Sequence, residues 1–376
     1  MKRRVWWMMA VLCALVVFAP RAMAQRPPET HPTSEHRDIV MSWDRSAMPG
    51  DIELWAPRTV LGYELPGTLD YGSLYLTCNS NSDATTGRCP VNDTLENATN
   101  LKSVIHLRFT EQRSGMTEEL EVIADLRRGD ATVDCSLDYW DSSTRYIWSS
   151  TFTPCFGKPV GTAVSMELEK QQLERLVAGK WKAQLVLSLH TPSHLGIATY
   201  KFNFELAITD HNAVSIYFPL FDQVTPHVGL NLQYDPIAQT IGGTTKVDMC
   251  LYDGLGSQSQ YLGITVRDSG ARPPGPSGYS VWHTDGGSDA TQRVDYTVTL
   301  DHSGTNIPMR NGVEQLLHGI DTAKLRLVML PGMTQPVFCV PTPITLDTPR
   351  VSVSTKRPGH YSGDLKVELR VPTATP

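Results

Sequence analysis

The sequence lacks the short motifs that mark common enzyme classes. It contains no G-x-S-x-G turn, no H-E-x-x-H pair, no phosphate-binding loop and no carboxylate pair that stands out among its 39 acidic residues. None of its cysteines lies in a C-x-x-C pair, which disfavours structural zinc. We therefore predict that the protein is not an enzyme, has no catalytic residues, and binds neither a metal nor a cofactor.

Long apolar runs are absent after residue 24. The run from Val5 to Phe18 follows three basic residues and precedes Ala22-Met23-Ala24, the small-residue pattern of a cleavage site. It is shorter than the roughly 20 residues that a membrane-spanning helix needs. We predict that residues 1–24 are a signal peptide rather than a membrane anchor, and that the protein is exported through the periplasm.

An excess of positive charge is also missing. Residues 1–24 carry four of the 33 basic residues and none of the 39 acidic ones, so the exported chain has a net charge of about −10. Such a chain repels phosphate backbones, and nucleic acid is not an expected partner.

Six cysteines remain after Cys13 is removed with the signal peptide, an even number in an oxidising compartment. We predict three disulfides. Six thiols allow fifteen connectivities, and two close pairs with one distant pair favour sequential bonding: Cys78 with Cys89, Cys135 with Cys155, and Cys250 with Cys339.

Short strand-like runs separated by turn residues recur along the chain, and they predict an all-β protein. A polar lead-in, Arg26 to Arg37, is predicted to be unstructured or extended, and a short helix capped by Ser165 interrupts the strands. A turn-prone join at residues 209–212 divides the chain into an N-terminal domain (25–210) and a C-terminal domain (211–376). The predicted strands are Ser73 to Thr77, Val104 to Phe109, Leu120 to Ile123, Tyr146 to Phe152, Ala183 to Leu189, Tyr200 to Leu206, Val214 to Phe218, Gly229 to Leu232, Val247 to Tyr252, Tyr261 to Val266, Asp295 to Leu300, Leu325 to Leu330 and Val337 to Val340.

The last strand has one apolar face and nothing after it to cover that face. Its apolar residues alternate with charged ones, the period-two pattern of a half-buried strand. An uncovered apolar strand invites pairing with another chain. We predict a groove that accepts a strand from another protein, formed by Ile216, Phe218, Leu365, Val367, Leu369 and Val371.

Several segments resemble one known family. They are the string V-D-M-C-L-Y-D-G at 247–254, the segment from Leu76 to Cys78 leading to G-R-C-P at 87–90, G-K-W-K-A at 179–183, and Tyr361-x-Gly363 before the last strand. Together they resemble the CfaE/CblD family of fimbrial tip adhesins and assembly initiators.

The resemblance implies two β-sandwich domains. The first is an adhesin domain, and the second is an incomplete immunoglobulin-like pilin domain completed by a donor strand. It also implies a fimbrial tip at the cell surface, with four partners: a periplasmic chaperone, an outer-membrane usher, the major pilin that donates the strand, and a host-cell glycoconjugate or protein receptor. The alternatives are a structural assembly initiator without receptor binding and an exported carbohydrate-active enzyme.

The family's receptor pocket uses three arginines that this chain lacks. The matching positions are Ser73, Thr191 and Pro192, none of them basic. An anionic ligand of the sialic-acid type is therefore not expected. His190 and His194 have the i, i+4 spacing of a metal pair on a helix, but Pro192 after a predicted strand makes this segment a turn, so they are predicted to be loop histidines that line the receptor surface.

Two further candidates come from the residues alone. Arg128 begins an Arg-Gly-Asp tripeptide, which suggests either integrin binding or a solvated turn. Tyr139, Trp140 and Arg145 lie between Cys135 and Cys155 in a segment rich in aromatics, which favours sugar binding; the alternative is that Tyr146, Trp148 and Phe152 of this segment point into the sandwich core.

Overall fold

The structure is a computed structural model that describes residues 25–96, 99–133, 138–152, 157–221, 223 and 225–372. It is almost entirely β, in two sandwich domains, as predicted. The described part of the chain contains no helix long and apolar enough to cross a membrane. The predicted signal peptide, Cys135 and Cys155 lie outside the described residues.

The first domain contains one eight-stranded sheet in the order β1-β8-β7-β4-β5-β6-β2, with β3 pairing the end of β7. A single α-helical turn, α1 (Lys170–Leu173), follows β6. The strands are β1 (Glu35–Asp44), β2 (Ile52–Tyr63), β3 (Tyr75–Cys78), β4 (Ser103–Glu111), β5 (Thr117–Gly129), β6 (Gly161–Leu168), β7 (Gly179–His190) and β8 (Gly196–Thr209).

This sheet curls until its two edge strands meet. Trp55 of β2 packs edge-on against Tyr200 and Phe202 of β8, at centroid distances of 4.9 and 5.1 Å. The Arg37 guanidinium of β1 donates to the Leu54 carbonyl of β2 at 2.5 Å. The enclosed face of the sheet therefore becomes a sandwich core, and alternate residues of β4 and β8 are buried in it.

The second domain contains three sheets. Their orders are β10-β11-β20-β15-β14-β21 with β16 also on β15, β18-β19-β12-β9, and β17-β13-β22. The strands are β9 (Ser215–Tyr217), β10 (Gln233–Asp235), β11 (Thr240–Val247), β12 (Cys250–Tyr252), β13 (Tyr261–Asp268), β14 (Tyr279–His283), β15 (Arg293–His302), β16 (Thr305–Met309), β17 (Glu314–His318), β18 (Arg326–Val328), β19 (Val337–Pro341), β20 (Ile344–Ser352), β21 (Tyr361–Ser362) and β22 (Leu365–Arg370). Short 3-10 turns lie at Arg45–Ala47, Tyr71–Ser73, His211–Ala213, Ala290–Gln292 and Val353–Thr355.

Two of the three predicted disulfides are present. Cys78 is bonded to Cys89 and Cys250 to Cys339, which confirms both pairings. The second bond closes a loop of 89 residues, and both of its cysteines are fully buried. Cys250 and Cys339 belong to the same buried cluster as Trp181 of the first domain, so the apolar core continues from one domain into the other.

Several predicted elements differ from the structure. The helix predicted from Ser165 is reduced to α1, because Ser165 belongs to β6. The predicted strand Gly229 to Leu232 is not a strand, and Val247 to Tyr252 is divided between β11 and β12. The lead-in is extended, and Thr30 exchanges two backbone hydrogen bonds with Tyr63 before β1 begins.

Candidate functional site

A pocket lies at one end of the first domain, where several loops meet. It encloses about 470 Å³ and is open to solvent. We call it the end pocket and define it by the residues that line it: Ser73, Leu95, Ser150, Thr151, Phe152 and Pro192. None of these side chains is charged, so the described part of the end pocket offers hydroxyls and apolar surface.

The sandwich brings these residues together from distant parts of the chain. Ser73 ends the 3-10 turn before β3, and Pro192 lies in the turn that joins β7 to β8. Because β3 pairs antiparallel with the end of β7, the two segments meet at one end of the sheet. The structure thus places Ser73 and Pro192 in one pocket, and Thr191 directly precedes Pro192.

The predicted histidines pack beside this pocket. His190 stacks on Tyr75 with ring centroids 5.3 Å apart, and its Nε2 lies 3.1 Å from the Thr77 hydroxyl. His194 contacts the Tyr75 hydroxyl through Nδ1 at 2.8 Å. The two histidines therefore connect Tyr75, the first residue of β3, to the turn between β7 and β8.

The His190 cluster should make stability depend on pH. Burial lowers the pKa of the His190 imidazole below its ordinary value, and positive charge on His194 acts in the same direction. Below about pH 6.5 the unfolded chain binds this proton more readily than the folded one, so stability falls as the pH falls. We expect the thermal midpoint to drop more between pH 7.5 and 5.5 in the wild type than in His190→Asn. Equal drops would assign the pH dependence to other groups.

The aromatic segment that was predicted to bind a sugar has its main candidate side chains buried in the first domain. Trp140 is only 6% exposed and packs near Tyr63, and the Arg145 side chain is fully buried. Tyr139 is half-buried beneath the Arg26 guanidinium, 5.7 Å away. The predicted strand Tyr146 to Phe152 is irregular. Trp140 and Arg145 thus lack the solvent exposure that a direct receptor contact requires, and the prediction that these two residues bind a sugar is wrong. Tyr146 and Trp148 pack on the core, as the alternative for them predicted.

The Arg-Gly-Asp tripeptide does not form a solvated turn. Arg128 and Gly129 end β5, and Arg128 is only 2% exposed. A Cβ on Gly129 would lie 2.7 Å from a ring carbon of Trp140, so the residue must be glycine for Trp140 to pack there. An integrin cannot reach a guanidinium buried in this way.

A larger groove of about 710 Å³ lies on the outer face of the same sheet. Its charged and amide side chains pair with one another: Lys182 with Glu205 at 2.7 Å, and Asn203 with Asp38 at 2.9 Å. Because these groups already satisfy each other, the smaller end pocket is the better candidate site.

The second domain has two edge strands whose apolar side chains pack against the same buried cluster. In the described chain, β9 pairs only with β12, and β22 pairs only with β13. The six predicted groove residues, Ile216, Phe218, Leu365, Val367, Leu369 and Val371, are all half-buried and pack against one buried cluster. The structure therefore brings together two segments that are about 150 residues apart, each with one unpaired edge.

Comparison with known proteins identifies the family. Family models for the first and second domains of CfaE, a protein of CFA/I fimbriae, match residues 20–211 and 214–373. The chain belongs to the CfaE family. The resemblance drawn from the sequence is confirmed, and as a member of this family the protein is a fimbrial adhesin of the bacterial surface.

Known proteins are similar to this chain over most of its length. The CFA/I fimbrial protein CfaE of Escherichia coli is 28% identical over 314 residues, which cover 79% of this chain and 80% of its own length. A crystal structure described as CfaE, the adhesive subunit of CFA/I fimbria of enterotoxigenic E. coli, has a TM-score of 0.69 at 23% identity and covers 93% of this chain and 95% of its own. A structure described as a chaperone-tip adhesin complex has a TM-score of 0.67 at 23% identity and covers 93% and 99% of the two chains.

Sequence reasoning missed half of the end pocket. Leu95 lies in a segment without a motif, and Ser150 and Thr151 lie in the predicted strand Tyr146 to Phe152, which gives no sign of a pocket. Their position depends on tertiary hydrogen bonds, which leave no local pattern in the sequence.

Proposed function

We propose that this protein is a fimbrial tip adhesin. Its first domain binds a host-cell receptor at the end pocket, and its second domain accepts a donor strand from the major pilin. A periplasmic chaperone occupies the same groove before assembly at an outer-membrane usher. The working bounds of the two domains are 25–210 and 211–376. Related proteins described as an adhesive subunit and as a chaperone-bound tip adhesin support this proposal.

The observation that carries the assembly role is the half-buried apolar face of β22. Val367 lies directly opposite the fully buried Val266, and Leu369 lies opposite the fully buried Ile264. Side chains in these positions contact the core, yet each remains partly exposed on the side away from β13. One further strand would cover them and pair the unpaired edge of β22.

The receptor is proposed to be an uncharged glycan. The end pocket has hydroxyls at Ser73, Ser150 and Thr151 and an aromatic ring at Phe152, and among the described residues no charged side chain lines it. Sugar hydroxyls hydrogen-bond to such groups, and the apolar face of a sugar ring packs on an aromatic ring. The absence of lining cations disfavours sialylated ligands, which need a counter-charge. Of the sequence candidates, Ser73 lines the pocket, and His190, Thr191 and His194 support its rim.

Filling the pocket should separate the adhesin from an assembly initiator that binds no receptor. Ser150→Trp places a large ring in the pocket and should weaken binding of fibres to receptor-bearing cells at least tenfold. Gln184→Trp, on the larger groove, is the matched control and should leave binding unchanged. Fibre number per cell should stay constant in both, because neither site touches the second domain.

Three results would contradict the proposal. Unchanged cell binding in Ser150→Trp would exclude the end pocket, and loss of binding in Gln184→Trp would move the site to the larger groove. Wild-type fibres that bind no cell at all would favour the initiator. A glycan array that compares neutral and sialylated glycans tests the ligand class, and a sialylated glycan as the best ligand would contradict it.

A further inference from the structure

Arg128 makes four hydrogen bonds in the interior of the first domain. One terminal nitrogen, Nη1, donates to the Leu74 carbonyl and to the Thr162 hydroxyl, each at 2.7 Å. The other, Nη2, donates to the Ser149 carbonyl at 2.5 Å, and Nε donates to the Thr151 carbonyl at 3.1 Å. A planar guanidinium with donors in fixed directions can serve several backbone acceptors at once.

The acceptors of these bonds adjoin the end pocket. Leu74 follows Ser73, Ser149 precedes Ser150, and Thr151 itself lines the pocket. A second layer extends the connection, because the Ser149 and Thr151 hydroxyls each donate to the Glu96 carbonyl at 2.7 Å. Glu96 follows Leu95, so three separate walls of the pocket are connected to one side chain.

The 149–151 wall is held by side chains and not by a sheet: the Ser150 amide donates to Asp93 Oδ1 at 3.2 Å and the Thr151 amide to the Ser149 hydroxyl at 3.3 Å, and Arg128 binds the carbonyls of Ser149 and Thr151. These residues belong to no strand, and no sheet ladder fixes their carbonyls. A buried carbonyl without a partner is costly, so the guanidinium takes the place that a neighbouring strand would have in a sheet. Thr162 fixes the guanidinium in turn, since its hydroxyl donates to the Tyr71 carbonyl at 2.7 Å.

We propose that Arg128 is a positioning residue of the receptor site, which fixes the backbone walls of the end pocket from beneath without contacting the ligand. This inference rests on the proposed function of the end pocket. It gives the arginine of the Arg-Gly-Asp tripeptide a role inside the protein.

The test uses Arg128→Lys in the whole chain assembled into fibres. Lysine keeps the charge, but its ammonium is a single point and cannot reach three carbonyls in one plane. We expect amide hydrogen exchange at Ser150 and Thr151 to rise at least tenfold, and binding to receptor-bearing cells to weaken at least tenfold.

Val122→Ala is the matched control. Val122 lies on the same strand as Arg128, is fully buried, and makes no contact with the end pocket. Its loss should lower the thermal midpoint without changing local exchange at Ser150 or cell binding. A general loss of stability would affect both variants alike, whereas a positioning role affects only Arg128→Lys.

Each outcome decides the proposal. The proposal is overturned if Arg128→Lys changes amide exchange at Ser150 and Thr151, and cell binding, no more than Val122→Ala does. If Ser150→Trp abolishes binding while Arg128→Lys binds normally, the pocket is the receptor site and only the role of Arg128 fails. If Ser150→Trp binds normally, the proposed function fails, and the receptor role of Arg128 fails with it.

Discussion

Val367→Asp should remove the protein from assembled fibres. Val367 is half-buried against the core of the second domain, directly opposite the fully buried Val266. A carboxylate there would lose its water without gaining a partner, at a cost of roughly 2–4 kcal/mol. The same charge would meet the apolar side chains of any strand that enters the groove. We expect at least a tenfold drop in the periplasmic and fibre-bound protein, measured by immunoblot.

Lys366→Ser is the control for this change. Lys366 is the preceding residue of β22, and its side chain is exposed. It should leave the amounts of periplasmic and fibre-bound protein near those of the wild type. Wild-type amounts of Val367→Asp in fibres would show that β22 does not line the acceptor groove.

A donor segment fused after Pro376 should convert the purified protein into a stable monomer. A short tether holds the segment at an effective concentration of about 1 mM. A segment that binds with a dissociation constant of about 1 µM would then stabilise the second domain by roughly 4 kcal/mol. For a domain of this size that corresponds to a rise in thermal midpoint of about 8–16 °C. Calorimetry and size-exclusion chromatography measure the two effects.

The matched control is the same fusion with aspartate at the alternating apolar positions of the donor segment. It has the same length and tether but cannot fill an apolar groove, so its midpoint should equal that of the unfused chain. If the unfused chain is already monomeric and the two fusions melt together, the second domain is complete without a donor.

Regular alternation made much of the fold predictable. β4, β8 and β15 have alternate residues buried, and the sequence placed all three. The same alternation in β22 predicts an acceptor groove, which stays a prediction, and the structure pairs β22 with β13. Two disulfides were predictable because their spacing left few reasonable pairings in an exported chain.

The failures have physical causes. β2 was missed because three register shifts and Pro57 interrupt its period-two pattern. Residues 146–152 have the composition of a strand, but Arg128 and the Ser103 hydroxyl take their backbone groups, and no ladder forms. Burial of Arg145 was unpredictable from composition, since arginine is rarely found in a core. The order of residues within a short segment does not show which distant residues will bind it in the folded protein.

β1 pairs in parallel with β8 over ten residues, so this N-terminal segment is part of the sheet of the first domain. Thr30 is also tied to Tyr63, so residues 30–44 are held within this domain and are not available to enter the groove of a neighbouring pilin. A fibre built by strand donation would therefore carry a single copy of this protein. Attachment of a cell would then depend on how many fibres it displays, because a weak single-site affinity becomes firm adhesion only when several fibres bind together.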